Sequence, residues 1–304
     1  MREKLPYPTF VMLGPNASCN YNCIFCNNSI VAKSNIDFAD FVTSDIKNLV
    51  EHANIVDISG YGEVMISPEF KILVNSLSKN RTKFSFSTNG YAFVTEMIDY
   101  LNNSSLYYIT VSLNSLNPIT YKRLMGVDGL ERVLSNLDYL YSIKRNFILN
   151  ISVVLNELVI NELEDFVRYA HKNKVDKLRL SSLVHNNTEH MPELIIKDNT
   201  KYIAALVQAK KLADELHVSI TTPNLSQDKT ITDNKKKACR HPWNTVAINR
   251  YMQVIPCCFL GSMVMGDLKK ETFDEIWNGD KYWDLRDSIT NGNIKYCQKC
   301  LEFG

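Results

Sequence analysis

An α/β fold with a parallel sheet is what this sequence predicts, and three observations carry the prediction. Apolar, β-branched runs alternate with segments of helical periodicity, the alternation yields six β/α units, and a polar segment after Thr222 ends it. Alternation of this kind requires helices laid over a parallel sheet, and six units suit an incomplete barrel as well as an open sheet. The first strand is Thr9 to Leu13, an apolar run with β-branched residues. The helix Thr43 to Ala53 follows, with Ile46, Leu49 and Val50 at helical spacing. Strands are then expected over Ile55 to Ser59, Lys83 to Thr88, Tyr107 to Leu113, Phe147 to Leu155 and Lys177 to Leu183. The intervening helices are expected over Phe70 to Lys79, Phe93 to Asn102, Leu130 to Lys144, Asn161 to Lys172 and Lys201 to Leu216.

The segment PNLSQDKTITDNKKKA reads as a linker or surface loop, with the Lys235 to Lys237 run solvated. It divides the chain into residues 1–225 and 226–304. Beyond it, Thr245 to Asn249 and Gln253 to Cys257 suit a hairpin, and TFDEIWN and YWDLRDSI suit short helices.

Composition excludes several classes. A hydrophobic fraction of 45% and a charged fraction of 22% over 304 residues are ordinary globular values. Lys plus Arg (34) balances Asp plus Glu (33), which argues against nucleic acid or a membrane surface and for a small or neutral partner. No stretch has the length of a membrane span, and the N-terminal apolar run is too short for a signal-peptide core. These features place the chain in the cytoplasm.

The 8 cysteines fall in two groups: Cys19, Cys23 and Cys26, then Cys239, Cys257, Cys258, Cys297 and Cys300. Disulfides are rare in a reducing compartment, so clustered cysteines point to metal. The first group has the spacing C-x3-C-x2-C directly after the first strand. A [4Fe-4S] cluster takes four thiolates, so three leave one iron open. A zinc knuckle, or three incidental buried cysteines, is the alternative on these residues alone.

The loop resembles the hallmark of the radical S-adenosylmethionine (SAM) superfamily. The resemblance implies that Cys19, Cys23 and Cys26 hold a [4Fe-4S] cluster whose open iron binds SAM, and that Phe25 packs beside the adenine. Ser59-Gly60-Tyr61-Gly62-Glu63 follows the second strand and is similar to the family's GGE motif, with Tyr61 where its first glycine stands. That match implies that Gly60, Tyr61, Gly62 and Glu63 face the amino group of SAM; glycines allow close approach and a carboxylate suits an ammonium. Ser87-Thr88-Asn89-Gly90 resembles the ribose-contacting segment, which points to Ser87 and Asn89. Ser112 and Asn114 close the fourth strand. All four segments end consecutive strands, where barrels and open α/β proteins assemble their sites. Lys122 and Arg123 are candidates for the SAM carboxylate against a reading as solvated helix residues, and Asn156 is a further candidate.

The second group resembles the SPASM/twitch extension of the same superfamily: Cys239-Arg240-His241-Pro242-Trp243, then Pro256-Cys257-Cys258, MGDL, EIWN, LR and Cys297-x2-Cys300. The resemblance implies one auxiliary [4Fe-4S] cluster on Cys239, Cys257, Cys297 and Cys300, with Cys258 spare and exchangeable with Cys257 as ligand. His241 is read as a packed or surface residue. A zinc site with four cysteines is the alternative. The family has a glycine where Met252 stands, so a hairpin turn of different shape is expected.

The fold implied is a partial (β/α)6 barrel followed by a cysteine-rich twitch domain. The activity implied is formation of a 5′-deoxyadenosyl radical that abstracts hydrogen, fed by a reducing donor such as flavodoxin or ferredoxin. Two substrates fit: a small polar molecule of sugar or aminocyclitol type undergoing net two-electron oxidation, or a ribosomally made peptide undergoing crosslinking or epimerisation. Only eight residues precede the first strand, which favours the small molecule over a peptide read by an N-terminal leader-binding domain. Cys258 is the candidate hydrogen donor if the reaction is epimerisation. A zinc-stabilised binding protein without catalysis is the remaining alternative.

Overall fold

The computed structural model describes residues 3–15, 18–26, 44–60, 62–67, 70–183, 191–223, 239–257 and 260–291. In chain order the first half comprises β1 (Phe10–Leu13), α1 (Ser44–His52), β2 (Ile55–Ile58), α2 (Phe70–Lys79), β3 (Lys83–Thr88), α3 (Thr95–Asn102), β4 (Leu106–Ser112) and α4 (Pro118–Met125). Then come α5 (Leu130–Ser142), β5 (Ile148–Leu155), α6 (Leu163–Lys172), β6 (Lys177–Ser182), α7 (Asn199–Glu215) and β7 (Ile220–Thr221). The last part holds α8 (His241–Asn244), β8 (Thr245–Ile248), β9 (Gln253–Ile255), β10 (Gly266–Asp267), α9 (Phe273–Trp277) and α10 (Asp280–Thr290). Among the described residues no helix is long and apolar enough to cross a membrane.

The six expected β/α units are present, with ends shifted by a residue or two. α6 is preceded by a 3-10 turn over Ile160–Glu162, so the helix proper begins two residues later than the expected Asn161. β9 stops before Pro256, which has no N–H to give to a ladder.

The chain forms two compact units, one of Met1–Ser18, Lys33–Ser85 and Gln227–Gly304, the other of Cys19–Ala32 and Phe86–Ser226. The division falls inside β3. In the first unit the strand order is β10-β9-β8-β1-β2-β3, and in the second it is β3-β4-β5-β6-β7. The first unit's centre is β1, which pairs in parallel with β2 on one side and β8 on the other. All four residues of β8 are buried, as a strand covered on both faces requires. β9 then returns antiparallel to β8. Residues before β1 stitch this unit to its last helices: Trp277 Nε1 donates to the Pro6 carbonyl at 2.9 Å, and Leu5 N–H to Asn278 Oδ1 at 2.8 Å. Tyr7 stacks on His52 and on Phe273.

In the second unit β4, β5, β6 and β7 pair in parallel. α4 has strong end signals: Asn117 Oδ1 accepts from Ile119 and Thr120 N–H, Pro118 opens the helix, and Gly126 closes it at φ 70°.

Candidate active site

In the second unit the cysteine loop is fastened at three points. Asn22 N–H and Ile24 N–H donate to the carbonyls of Met125 and Leu124, the open C-terminal end of α4. Tyr21 is buried, its hydroxyl 3.1 Å from that of Tyr121 and its ring edge-on to Tyr91. Asn89 Nδ2 donates to Asn20 Oδ1 at 2.8 Å, while Asn89 Oδ1 accepts from Tyr91 N–H at 3.0 Å. Cys23 and Cys26 share one turn, closed by Cys26 N–H to the Cys23 carbonyl at 3.1 Å. Cys23 Sγ lies 3.7 Å from Met125 Sδ, and Asn114 Nδ2 lies 3.2 Å from the same sulfur. Asn114, at φ 51°, also accepts from Val154 N–H through Oδ1 at 2.8 Å.

The fold thus brings Asn89 to the cysteine loop and Asn114 to Met125, whose sulfur Cys23 also touches. Phe25 is half-buried in that loop. Ser87 is exposed on β3 and Ser112 half-buried on β4, neither hydrogen-bonded to the loop among the described residues. Lys122 and Arg123 are surface residues, facing Asp128 and Glu193 at 3.1 and 3.6 Å. Asn156 is buried and spends its side chain locally, giving to the Val154 carbonyl and accepting from Leu158 N–H.

In the first unit, Glu63 has 2% of its surface exposed. Its carboxylate accepts from Met65 N–H at 3.3 Å, and its own N–H donates to the Ser18 carbonyl at 2.9 Å, immediately before Cys19. Gly60 is exposed and Gly62 half-buried, while Tyr61 lies outside the described residues. Ser59 Oγ is buried without a partner among the described residues.

In the second unit Cys19, Cys23 and Cys26 lie on one pinned loop and are of the residue type that ligates a [4Fe-4S] cluster; in the first unit Glu63 is a buried carboxylate, a group suited to an ammonium. Cys239 and Cys257 are half-buried thiols, whereas Cys297, Cys300 and Cys258 lie outside the described residues. The buried Tyr282 hydroxyl, near Cys257, and Arg286 Nη2 have no hydrogen-bond partner among the described residues. Burial holds the Arg286 guanidinium down at about 10, and burial pushes the Tyr282 phenol up. Arg286 also donates to the carbonyls of Pro242 and Trp277 at 2.9 and 2.8 Å. His241 is half-buried at the start of α8. Among the described residues no three His, Cys, Asp or Glu side chains stand together as a ready metal site. Met252 adopts φ 63°, in the left-handed region that favours glycine.

Sequence reasoning missed the buttress of the loop. The Glu162 carboxylate accepts from Ser115 Oγ and the N–H groups of Leu116 and Asn117 at 2.7 to 3.3 Å, holding the segment that starts α4. Nothing local marks Glu162 for this task. Met125, by contrast, precedes a legible helix stop at Gly126.

Residues 15–170 match the family model of the radical SAM superfamily, and residues 239–301 that of an iron–sulfur cluster-binding domain, SPASM. A probable GTP 3′,8-cyclase of Thermococcus kodakarensis is 31% identical over 165 residues, 51% of this chain; the match spans only half (50%) of that relative's length. A GTP 3′,8-cyclase of Campylobacter jejuni is 25% identical over 96% of this chain and 88% of its own. Among solved structures, Streptococcus suis SuiB bound to SAM superposes with TM-score 0.74 at 16% identity, covering 92% of this chain and 68% of SuiB. The same protein bound to its precursor peptide SuiA gives 0.73, covering 92% and 67%. The α/β sheet, the pinned cysteine loop and both family matches lead to one conclusion: the chain belongs to the radical SAM superfamily, works with SAM and [4Fe-4S] clusters, and carries an iron–sulfur-binding SPASM domain for an auxiliary cluster.

Proposed function

We propose that this enzyme oxidises a small polar metabolite of sugar, aminocyclitol or nucleotide type by two electrons. When bound, SAM with its cluster supplies a 5′-deoxyadenosyl radical as hydrogen acceptor, and the auxiliary cluster supplies an acceptor for the second electron. On this reading Cys19, Cys23 and Cys26 hold the first cluster, and Cys239, Cys257, Cys297 and Cys300 the second. Glu63, with Gly60, Tyr61 and Gly62, binds the SAM amino group. Phe25, Ser87, Asn89, Ser112 and Asn114 position its nucleoside. With both groups bound, a substrate C–H beside a hydroxyl would give up its hydrogen atom, and the hydroxyl proton and one further electron would follow, so that the alcohol would become a carbonyl.

The observation that carries this reading is the pairing of β8 with β1. The segment bearing Cys239 and Cys257 is built onto the strand that leads, in sequence, to Cys19. Functionally, residues 1–225 handle SAM and 226–304 the auxiliary cluster, a division supported by the SPASM match at 239–301. Thiolate-ligated clusters, and an electron donor such as flavodoxin or ferredoxin, suit a cytoplasmic setting. The nucleotide cyclase relatives favour a small polar substrate.

The test is anaerobic turnover with SAM and dithionite against pools of deuterated polar metabolites. A product two hydrogens lighter, label in deoxyadenosine, and one SAM consumed per product are expected. Unchanged mass with hydrogen from solvent would refute oxidation and make Cys258 the candidate donor in epimerisation. The second reading, a maturase of ribosomally made peptides, draws on the fold-level likeness to peptide-bound SuiB. It predicts mass shifts on peptides and none on small metabolites.

A further inference from the structure

Arg250 stands on the turn between β8 and β9 with 3% of its surface exposed. Its contacts are with its neighbour: Nη2 donates to Tyr251 Oη at 2.7 Å, and the guanidinium carbon lies 4.7 Å from that ring's centroid. Nε and Nη1 are buried and have no acceptor among the described residues. Two buried guanidinium donors without an acceptor are donors that an anion would satisfy. Structures retain that arrangement when an anion completes it.

Its place in the fold says where the anion would come from. β8, β1 and β2 run parallel, with Ile248 opposite Leu13 and Leu13 opposite Ile58. The next residues, Asn249, Gly14 and Ser59, therefore form a row along the C-terminal edge of the sheet, and Arg250 follows directly. Two strand spacings, about 10 Å, separate the ends of that row. At its far end the Ser59 hydroxyl is the second buried polar group without a partner among the described residues. Between them stands Gly14, where a Cβ would lie in ordinary contact with the Ser59 carbonyl at 3.4 Å and with Gly60 Cα and the Ile248 carbonyl at 3.6 Å. The C-terminal edge is the side on which parallel sheets bind their ligands.

We propose that Arg250, assisted by Ser59 Oγ, binds an oxyanion of the substrate, a carboxylate or a phosphate. This deepens the reading of a small polar substrate and rests on it: the metabolite would be an acid or a phosphate ester, held by its charge while its C–H bond is presented for abstraction. The turn is also where a substitution would change substrate class without touching either set of cysteines.

The experiment is thermal melting of the reconstituted holoprotein in inorganic phosphate or acetate, against chloride at equal ionic strength. Wild type should show a saturable rise with at least one of them, because a ligand of the folded state raises its stability. Response to phosphate alone assigns a phosphate, and to acetate alone a carboxylate. R250M, which keeps the volume and removes the charge, should weaken the apparent affinity about tenfold or more. If R250M does not fold, R250K supplies the comparison, since it lacks the planar donors and should still bind more weakly than wild type. Equal responses in wild type and whichever variant folds would overturn the proposal, as would the absence of any rise above chloride. SAM is added in a further arm: loss of the anion response on saturation with SAM would show that the site serves the SAM carboxylate, and overturn it too. Reductive SAM cleavage by wild type is followed separately, so failure of the radical reading and failure of the anion site are distinct results.

Discussion

Asn89, just past β3, reaches Asn20 in the cysteine loop with a side-chain hydrogen bond of 2.8 Å, and its other amide atom caps the turn at Tyr91. Replacement by alanine removes both bonds and should cost about 1 to 3 kcal/mol. Asn89→Asp keeps the acceptor for Tyr91 and loses the donor to Asn20, so it isolates the loop contact. Iron content after reconstitution and urea denaturation of the apoprotein measure the two effects; full iron loading by Asn89→Asp would show the contact to be dispensable.

Substituting Cys19, Cys23 or Cys26 by alanine should abolish 5′-deoxyadenosine formation and leave about four irons per chain, those of the auxiliary cluster. Any of the three variants that still cleaves SAM reductively is not missing a ligand.

Glu63→Gln keeps the shape and the bond from Met65 N–H while removing the charge. Its SAM affinity should fall by about 1.5 to 3 kcal/mol, the worth of a buried charge-assisted hydrogen bond. Equilibrium binding on the folded variant measures this, and an unchanged affinity removes Glu63 from the SAM site.

Gly126→Ala tests the seam under the loop. Gly126 sits at φ 70°, and an added Cβ would clash with the Asn22 carbonyl oxygen. The substitution should destabilise the fold by more than about 1 kcal/mol and loosen the cysteine loop, lowering cluster occupancy. Chemical denaturation and iron analysis together decide it.

Alkaline pH should unfold the chain through its tyrosines. Burial pushes the Tyr121 and Tyr141 phenols well above the usual range, the hydroxyls of Tyr21 and Tyr169 adding to it. The unfolded chain ionises them near pH 10 and the folded chain does not, so their contribution is full below about pH 10 and is lost as pH rises beyond it. Tyr141→Phe should flatten the fall of stability above pH 10, measured by denaturation of the apoprotein across that range.

Much of this architecture was legible in the residues. Lys83–Thr88 and Phe70–Lys79 were placed to the residue because alternation and helical periodicity there are unbroken. β7 and β10, of two residues each, are too short for any period to show. The cysteines and Glu63 were readable because few residue types do their chemistry. The groups that steady the cysteine loop were not: Glu162 and Asn20 act through contacts with residues distant in sequence, and nothing local announces such a contact. Arg250 looks like an ordinary turn cation until its burial is known.

Because β8 flanks β1, the first strand of the chain waits for one made about 230 residues later. At ribosomal speeds that is on the order of 10 to 50 seconds during which one edge of an apolar strand stands open to neighbouring chains. A product terminated after residue 225 would never close that edge, so it should aggregate rather than yield a soluble half-enzyme. Ribosome pausing, chaperone supply and growth temperature should then govern the yield of this enzyme as strongly as its supply of iron.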